Sequence, residues 1–355
     1  SAIVVTGPRQ TGKTTLIREI VGSKKDYLFL DCDDMFVRDR LTNPSLSNLE
    51  QMISGYRIIF IDEAQRVKNI GLTLKLITDN FKEVKLLVTG SSSLNLGDEI
   101  NEPLTGRKWS YDLYPVSWKE YSDDVGNFNA LRKLDQRLIF GMYPEVINNS
   151  GDEIEILREL SGSYLFKDLL TYKGIKKPEV LSNLLKALAY QVGNEVSYNE
   201  LAKLVQIDKN TVQSYIQLLE DAFVLFRLKT LKKNLRKEIS SKRKIYFLDN
   251  GILCSILSNY NTLDNRDDVG VLWENFMISE RHKQNHYQKR YVNEFYWRTI
   301  TGQEIDFVEE NNDKYEAYEF KWNPKRKIKF PAVFTEQYNS ENVAVHRENF
   351  HKFIM

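Results

Sequence analysis

Nothing in this sequence approaches the ~18 consecutive apolar residues of a membrane-spanning helix, and no signal-peptide pattern opens it. No membrane partner is expected. Cysteine is nearly absent: Cys32 and Cys254 are too few for a disulfide framework, which fits a reducing, cytoplasmic setting. Net charge is missing too. Lys and Arg total 50 against 49 Asp and Glu, so the whole chain does not advertise nucleic-acid binding and any basic surface must be local. Internal repeats and long low-complexity segments are lacking as well. What is there is an ordinary globular composition of 355 residues, 42% hydrophobic and 28% charged, enough for about two or three domains. Ser1 stands inside a strand-like run, which leaves open whether native residues lie upstream.

The first stretch alternates short apolar runs with helical patterns. Ala2–Thr6, Tyr27–Asp31, Arg57–Asp62 and Val84–Thr89 read as strands, Thr14–Val21 as a helix, and Tyr111–Tyr114 as a fifth strand ending at Pro115. Strands as uniformly apolar as Ile58-Ile59-Phe60-Ile61 argue for a parallel sheet covered on both faces. A domain over residues 1–116 follows. Residues 117–185 read as a mostly helical lid or linker, opened by the capping box Ser117-Trp118-Lys119-Glu120 and divided at Gly141-Met142-Tyr143-Pro144.

Gly7-Pro8-Arg9-Gln10-Thr11-Gly12-Lys13-Thr14 has the spacing G-x-x-x-x-G-K-[ST] between a strand and a helix. Its glycines let main-chain N–H groups curl toward phosphates, and the following helix adds its positive end. Lys13 is expected on the β- and γ-phosphates of ATP and Thr14 on Mg²⁺, with Thr15 completing the loop. Asp62, at the end of an apolar strand, is a second Mg²⁺ contact, and Glu63 is placed to polarise the attacking water. The fourth strand runs into Thr89-Gly90-Ser91-Ser92, making Ser91 or Ser92 the polar residue beside the γ-phosphate. Arg107 is a candidate arginine finger, with a plain loop arginine as the alternative.

This combination resembles the AAA-type ATPases. More narrowly, it is similar to a prokaryotic family that joins such an ATPase to a C-terminal region of uncharacterised function. The narrower resemblance rests on Asp62-Glu63-Ala64-Gln65, Leu113-Tyr114-Pro115-Val116-Ser117, Gly141-Met142-Tyr143-Pro144-Glu145 and Lys244-Ile245-Tyr246-Phe247-Leu248-Asp249-Asn250-Gly251. The resemblance implies Lys13, Thr14, Asp62 and Glu63 as the ATP site. It also implies a homo-oligomer whose neighbouring subunits exchange an arginine such as Arg107.

Ser197 with Glu200 has capping-box form before one short helix, and a turn at Gln206-Ile207-Asp208 leads to a second, Lys209 to Glu220. With strand candidates Phe223–Leu231 and Lys244–Leu248, residues 186–250 read as a winged helix-turn-helix. Lys209, Asn210, Thr211, Gln213, Ser214 and Tyr215 would read DNA. Lys229, Lys232, Lys233, Arg236, Lys237, Lys242, Arg243 and Lys244 against Glu238 would meet phosphates. A solvated hairpin, or a lid in an ATPase, reads the same charges differently.

Residues 251–355 mix a helix near Trp273–His282 with strands near Val292–Arg298, Glu304–Val308 and Tyr315–Trp322. Glu319 and Lys321 leave the same face of one strand, and Asp306 on its neighbour could meet them. This separated Asp followed by Glu-x-Lys resembles the restriction-endonuclease-like fold. The resemblance implies a second metal site at Asp306 and Glu319, with Glu274 a further ligand and Lys321 holding a water. A cross-strand ion pair is the plainer reading. His282 and His286 lack a third ligand and read as surface histidines. The expected whole is α/β: a phosphate-loop NTPase sheet, a helical lid, a winged helix and a small nuclease-like domain. It would couple ATP to DNA, or else gate protein contacts without nucleic acid.

Overall fold

The structure is a computed structural model and describes residues 1–22, 26–91, 100, 102–164, 177–232 and 242–355. Two compact units emerge, one built from Ser1–Tyr114 and a second from most of Pro115–Met355.

In the first unit five strands, β1 (Ala2–Thr6), β2 (Tyr27–Asp31), β3 (Ile58–Asp62), β4 (Lys85–Gly90) and β5 (Lys108–Asp112), form a sheet in the order β2-β3-β4-β1-β5. Every adjacent pair is parallel. The apolar run of β3 is buried throughout because both sheet faces are covered. Ile58 and Phe60 pack with Val5 and Leu87 against Ile17 and Val21 of helix α1 (Lys13–Val21). Ile59 and Ile61, pointing the other way, pack with Val4 and Val88 against helices α2 (Met35–Leu41), α3 (Leu46–Ile53) and α4 (Ile70–Asn80). Since β4 lies between β1 and β3, the carboxyl ends of three strands converge beside the loop that follows β1. The fifth strand lies earlier than the sequence suggests. Lys108–Asp112 pairs with β1, and the Leu113 N–H then donates to the Thr6 carbonyl at 2.7 Å as the chain leaves the edge.

The second unit holds a seven-stranded sheet in the order β12-β11-β10-β9-β7-β8-β6. Its strands are β6 (Glu195–Val196), β7 (Leu225–Thr230), β8 (Arg243–Phe247), β9 (Asn293–Arg298), β10 (Glu304–Asn311), β11 (Lys314–Phe320) and β12 (Glu341–Val345). Helix α5 (Trp118–Val125) opens with the expected capping box at Ser117 and Glu120. Helices α6 (Tyr198–Leu204) and α7 (Lys209–Asp221) form the expected helix–turn–helix, with the Ser197 hydroxyl accepting from the Glu200 N–H. The hairpin after it is not a free wing. While β7 pairs antiparallel with β8, its other edge pairs parallel with β9 through Lys229↔Phe295 and Thr230↔Tyr296. The boundary expected at 250 therefore falls within one continuous sheet. A solitary two-stranded hairpin is marginal in water, and β9 supplies the third strand.

Across this sheet lies α8 (Val269–Tyr287), buried along most of its 19 residues. Its charges are paired where they are buried: Arg281 grips Glu309 at 2.6 and 2.7 Å through two nitrogens, and Lys283 meets Glu280 at 2.7 Å. Asn275, fully buried, acts as a strand substitute. The short β6 pairs only with the start of β8, at Arg243 and Lys244. Further along, Phe247 exchanges both main-chain hydrogen bonds with the Asn275 carboxamide, at 2.8 and 3.0 Å. Asn275 also donates to Asn250 Oδ1 at 2.8 Å, at the start of helix α9 (Asn250–Leu257).

Truncation by Asn275→Ala strands the main chain of Phe247 without partners. Buried unsatisfied groups cost about 1–3 kcal/mol each, so a loss of about 2–4 kcal/mol in the second unit is expected, with faster hydrogen exchange at the Phe247 amide. Urea unfolding and amide exchange check this, and an unshifted midpoint with intact protection refutes it.

Candidate functional site

Two glycines shape the loop after β1. A Cβ on Gly7 would lie 2.1 Å from the Leu113 carbonyl oxygen, so only glycine lets the loop leave the sheet here. Gly12 stands at φ +89° immediately before α1, a conformation that L side chains rarely adopt, and no heavy atom lies within 4 Å of where its Cβ would be. With glycine at this position the start of α1 has no side-chain cap. Lys13 is buried and its Nζ donates to the carbonyls of Gly7 at 3.0 Å and Pro8 at 2.6 Å. Thr11 ties the loop to the Pro8 carbonyl at 2.9 Å. Gln10 adopts φ 60°, and its buried Oε1 has no hydrogen-bond donor among the described residues. Thr15 is exposed on the first turn of α1, and Arg9 is half-buried within the loop.

Asp62 is buried at the end of β3, and two hydroxyls meet its carboxylate. Thr14 Oγ1 lies 2.8 and 3.1 Å from its two oxygens, and Thr89 Oγ1 donates to Oδ1. The sequence reading missed Thr89. Its place at the end of the strand beside β3 is the signal that would have found it. Glu63 adopts φ 52°, a strained left-handed conformation that costs of order 1–3 kcal/mol. Its N–H reaches Thr89 Oγ1 at 3.3 Å. Burial pushes the Glu63 carboxyl above its ordinary range, against Lys13 and the Gln65 hydrogen bond, which lower it. Gln65, also unassigned from sequence, donates through Nε2 to Glu63 Oε2 at 2.6 Å and to the buried Ser91 Oγ at 2.9 Å. Ser92 lies outside the described residues.

Arg107 is elsewhere. It precedes β5 at the amino edge of the sheet, where its Nε donates to Asp79 at 2.7 Å. The loop after β1 opens at the opposite, carboxyl edge. At about 3.3 Å per residue a five-residue strand separates the two, so Arg107 does not meet a phosphate held by its own loop.

On α7 the exposed face carries Lys209, Asn210, Gln213 and Ser214 at helical spacing. Two expected base readers are otherwise engaged. Tyr215 is buried in the core beside Val212 and Ile216, and Thr211 is tied to Asp208 in the helix cap. The basic run is also smaller than its charge count. Lys244 is buried and paired with Glu304, with Glu274 at 3.6 Å, while Lys242 stands 3.9 Å from Glu195. Lys229 is exposed, and Lys232 is half-buried with Nζ 3.4 Å from the Arg298 carbonyl. Arg243 is half-buried on β8, and Lys233, Arg236, Lys237 and Glu238 lie outside the described residues.

The β10–β11 constellation does assemble around Lys321. Its Nζ lies 3.1 Å from Glu319 and 3.5 Å from Asp306, and Asp306 Oδ2 also accepts from the Phe320 N–H at 3.0 Å. Glu274 Oε1 instead accepts from Tyr246 at 2.7 Å and faces Lys244. Among the described residues no group of three or more His, Cys, Asp or Glu is arranged to hold a metal ion. Asp306 and Glu319, two of the three expected ligands, thus gather on Lys321, while Glu274 lies on Lys244 with Glu304. His282, expected on the surface, is half-buried, stacks on Phe226 and meets Glu294 at 2.8 Å. No described helix is long and apolar enough to cross a membrane.

Residues 1–122 match the family model described as an AAA domain, a range that includes the phosphate loop, Asp62 and Glu63. Residues 131–263 and 269–352 match two others, described as domains of unknown function DUF8612 and DUF4143. An uncharacterized protein of Mycobacterium tuberculosis is 28% identical over 325 residues, covering 90% of this chain and 70% of its own. One from Methanocaldococcus jannaschii is 27% identical over 276 residues, covering 69% of this chain and 60% of its own. Among solved structures, Drosophila ORC bound to DNA aligns with TM-score 0.28 and 12% identity, over 74% of this chain and 91% of that one. The AAA-domain match agrees with the AAA-type resemblance of residues 1–122.

The lysine–carboxylate cluster makes stability depend on pH. Burial pushes Glu274 up to about 7 against the opposing Lys244. Burial, and then Asp306, push Glu319 up to about 7. From the ordinary value of 4.5 to about 7, the folded chain holds protons that the unfolded chain has released. Stability is thus greatest below that window and falls as pH rises through it. Glu274→Gln removes part of the dependence, so its stability relative to wild type should improve by about 2 kcal/mol between pH 5 and pH 8. Parallel urea-denaturation profiles for the two proteins across that range refute it.

Proposed function

We propose that this chain is a magnesium-dependent ATPase whose catalytic site is the carboxyl edge of the first sheet. The observation that carries the reading is the meeting of three features at one place. A glycine-shaped loop opens onto uncapped α1 amides, Lys13 lies inside that loop, and the Thr14 hydroxyl touches the buried Asp62 carboxylate. A triphosphate supplies acceptors for main-chain N–H groups at such a loop and helix start. Lys13, whose Nζ bonds the Gly7 and Pro8 carbonyls inside the loop, is placed to turn to the β- and γ-oxygens. A hydroxyl and a carboxylate 2.8 Å apart are hard oxygen donors suited to Mg²⁺, which when bound would neutralise charge on the phosphates. Glu63 accepts a proton from the attacking water, and Ser91 marks the end of the strand between loop and acid. Arg107 serves, on this reading, the loop of a neighbouring copy. The AAA-domain match of residues 1–122 supports nucleotide binding.

A second element of the proposal is that ATP turnover is coupled to duplex DNA through α7. The exposed Lys209, Asn210, Gln213 and Ser214 combine one cation with three side chains able to bond base edges or phosphates. Lys229 and Lys232, with the basic residues 233–243, add positive charge after the helix. The alternative, a nucleotide-gated protein-interaction module, predicts no DNA affinity at low salt.

Lys13→Ala should abolish phosphate release from ATP, and Glu63→Gln should lower kcat by about 10²-fold or more while nucleotide still binds. Turnover unchanged in Lys13→Ala places the site elsewhere. For DNA, fluorescence anisotropy with a labelled duplex should show binding that weakens steeply from 50 to 200 mM salt. Replacing Lys209, Lys229 and Lys232 by Glu should weaken it at least about tenfold. Absence of binding at 50 mM salt supports the protein-interaction alternative.

A further inference from the structure

Gln65 stands two residues beyond Glu63, outside the β3 strand, in the short 3-10 turn Ala64–Arg66. Its carboxamide joins two groups that the main chain places on different strands. One N–H goes to the Glu63 carboxylate at 2.6 Å and the other to Ser91 Oγ at 2.9 Å. A carboxylate can only accept, so the nitrogen of the amide must face Glu63. The Gln65 oxygen is then turned away, buried, and without a donor among the described residues. A buried amide oxygen left unsatisfied costs more than a typical hydrogen bond gains. The amide thus acts on its neighbours through its two N–H groups.

The backbone reinforces this. Glu63 sits at φ 52°, and its N–H reaches Thr89 Oγ1 at 3.3 Å. The carboxylate of that strained residue is held by the Gln65 amide at 2.6 Å. Ser91 directly follows β4, the strand between the loop and Glu63, so the Gln65 bridge makes the acid and this strand's end move together.

We propose that Gln65 is a positioning residue for the hydrolytic step: it fixes the Glu63 carboxylate against Ser91 in the orientation from which that carboxylate takes a proton of the attacking water. The inference rests on the ATPase reading above. In the step itself the water oxygen bonds to the γ-phosphorus, the bond to the β–γ bridging oxygen breaks, and Glu63 takes one water proton. ADP carries away the bridging-oxygen electron pair, and Gln65 exchanges no proton.

The test is steady-state ATP hydrolysis by the full chain with Mg²⁺, together with the affinity for a fluorescent ADP analogue. It compares wild type, Gln65→Ala, the isosteric Gln65→Glu, Glu63→Gln, and Glu63→Gln combined with Gln65→Ala. Gln65→Ala should lower kcat about 10–10²-fold, with KM and ADP-analogue affinity within about twofold of wild type. Gln65→Glu should lose as much, because it replaces the donor with a like charge. Because Gln65 acts through Glu63, the double variant should be no slower than Glu63→Gln alone. Wild-type kcat in Gln65→Ala, or additive losses in the double variant, overturns the inference and leaves the ATPase reading standing. Loss of ADP-analogue affinity in both Gln65 variants also overturns it, since that marks a role in building the loop. Wild type that binds no nucleotide and releases no phosphate overturns both.

Discussion

A buried carboxylate is tolerable only when its oxygens are satisfied, and at Asp62 the satisfaction comes from two different secondary-structure elements. Thr14 belongs to the first turn of α1 and Thr89 to the end of β4. The main-chain carbonyl of Asp62 adds a third tie, accepting from the Cys32 N–H at 3.0 Å just past β2. One residue, through its side chain and its carbonyl, thereby ties the helix that follows the glycine loop to three strands of the sheet. The catalytic geometry proposed here follows from that registration. Glu63 inherits its position from Asp62, and Gln65 and Ser91 inherit theirs from the two strand ends that Asp62 and Thr89 hold together.

The second unit solves a comparable problem with neutral and charged groups buried deeper. Asp249 caps α9 through the Ile252 N–H at 3.1 Å and accepts from the Met142 N–H at 2.6 Å. This brings the strings Gly141-Met142-Tyr143-Pro144-Glu145 and Leu248-Asp249-Asn250-Gly251 into direct contact, although more than a hundred positions separate Met142 from Asp249. The close packing accounts for their composition. A Cβ on Gly141 would lie 2.1 Å from Asp249 Oδ1, and one on Gly251 2.2 Å from the Phe140 carbonyl. These motifs build the core, and their chemistry is hydrogen-bond satisfaction.

The parts legible in the sequence are those with local causes. The loop before α1 could be read because its glycines and lysine act within eight consecutive residues, and β3 because burial on two faces leaves an unbroken apolar run. The helix–turn–helix was marked by Ser197 and by the apolar spacing of Val212, Ile216 and Leu219. Pairings across long stretches of chain left no such mark. Lys244 counted as one more cation in a basic run, whereas its partner Glu304 comes from β10. Charge arithmetic along the chain cannot distinguish a solvated lysine from one buried on a distant acid. Tyr215 looked like a reader of bases because its type suits that role, yet the helical period places it on the buried face with Val212 and Ile216. Thr89 and Gln65 passed unnoticed because threonine and glutamine are common, and only the adjacency of β3 and β4 gives them meaning.

The parallel join of β7 to β9 has a mechanical consequence. The segment after α7 is stitched by main-chain bonds into the same sheet that carries Asp306 and Glu319. A force borne by α7 passes into β7, then β9 and β10, through a continuous ladder. No slack linker intervenes to absorb it. The strand that follows α7 and the acid–lysine cluster therefore belong to one hydrogen-bonded framework.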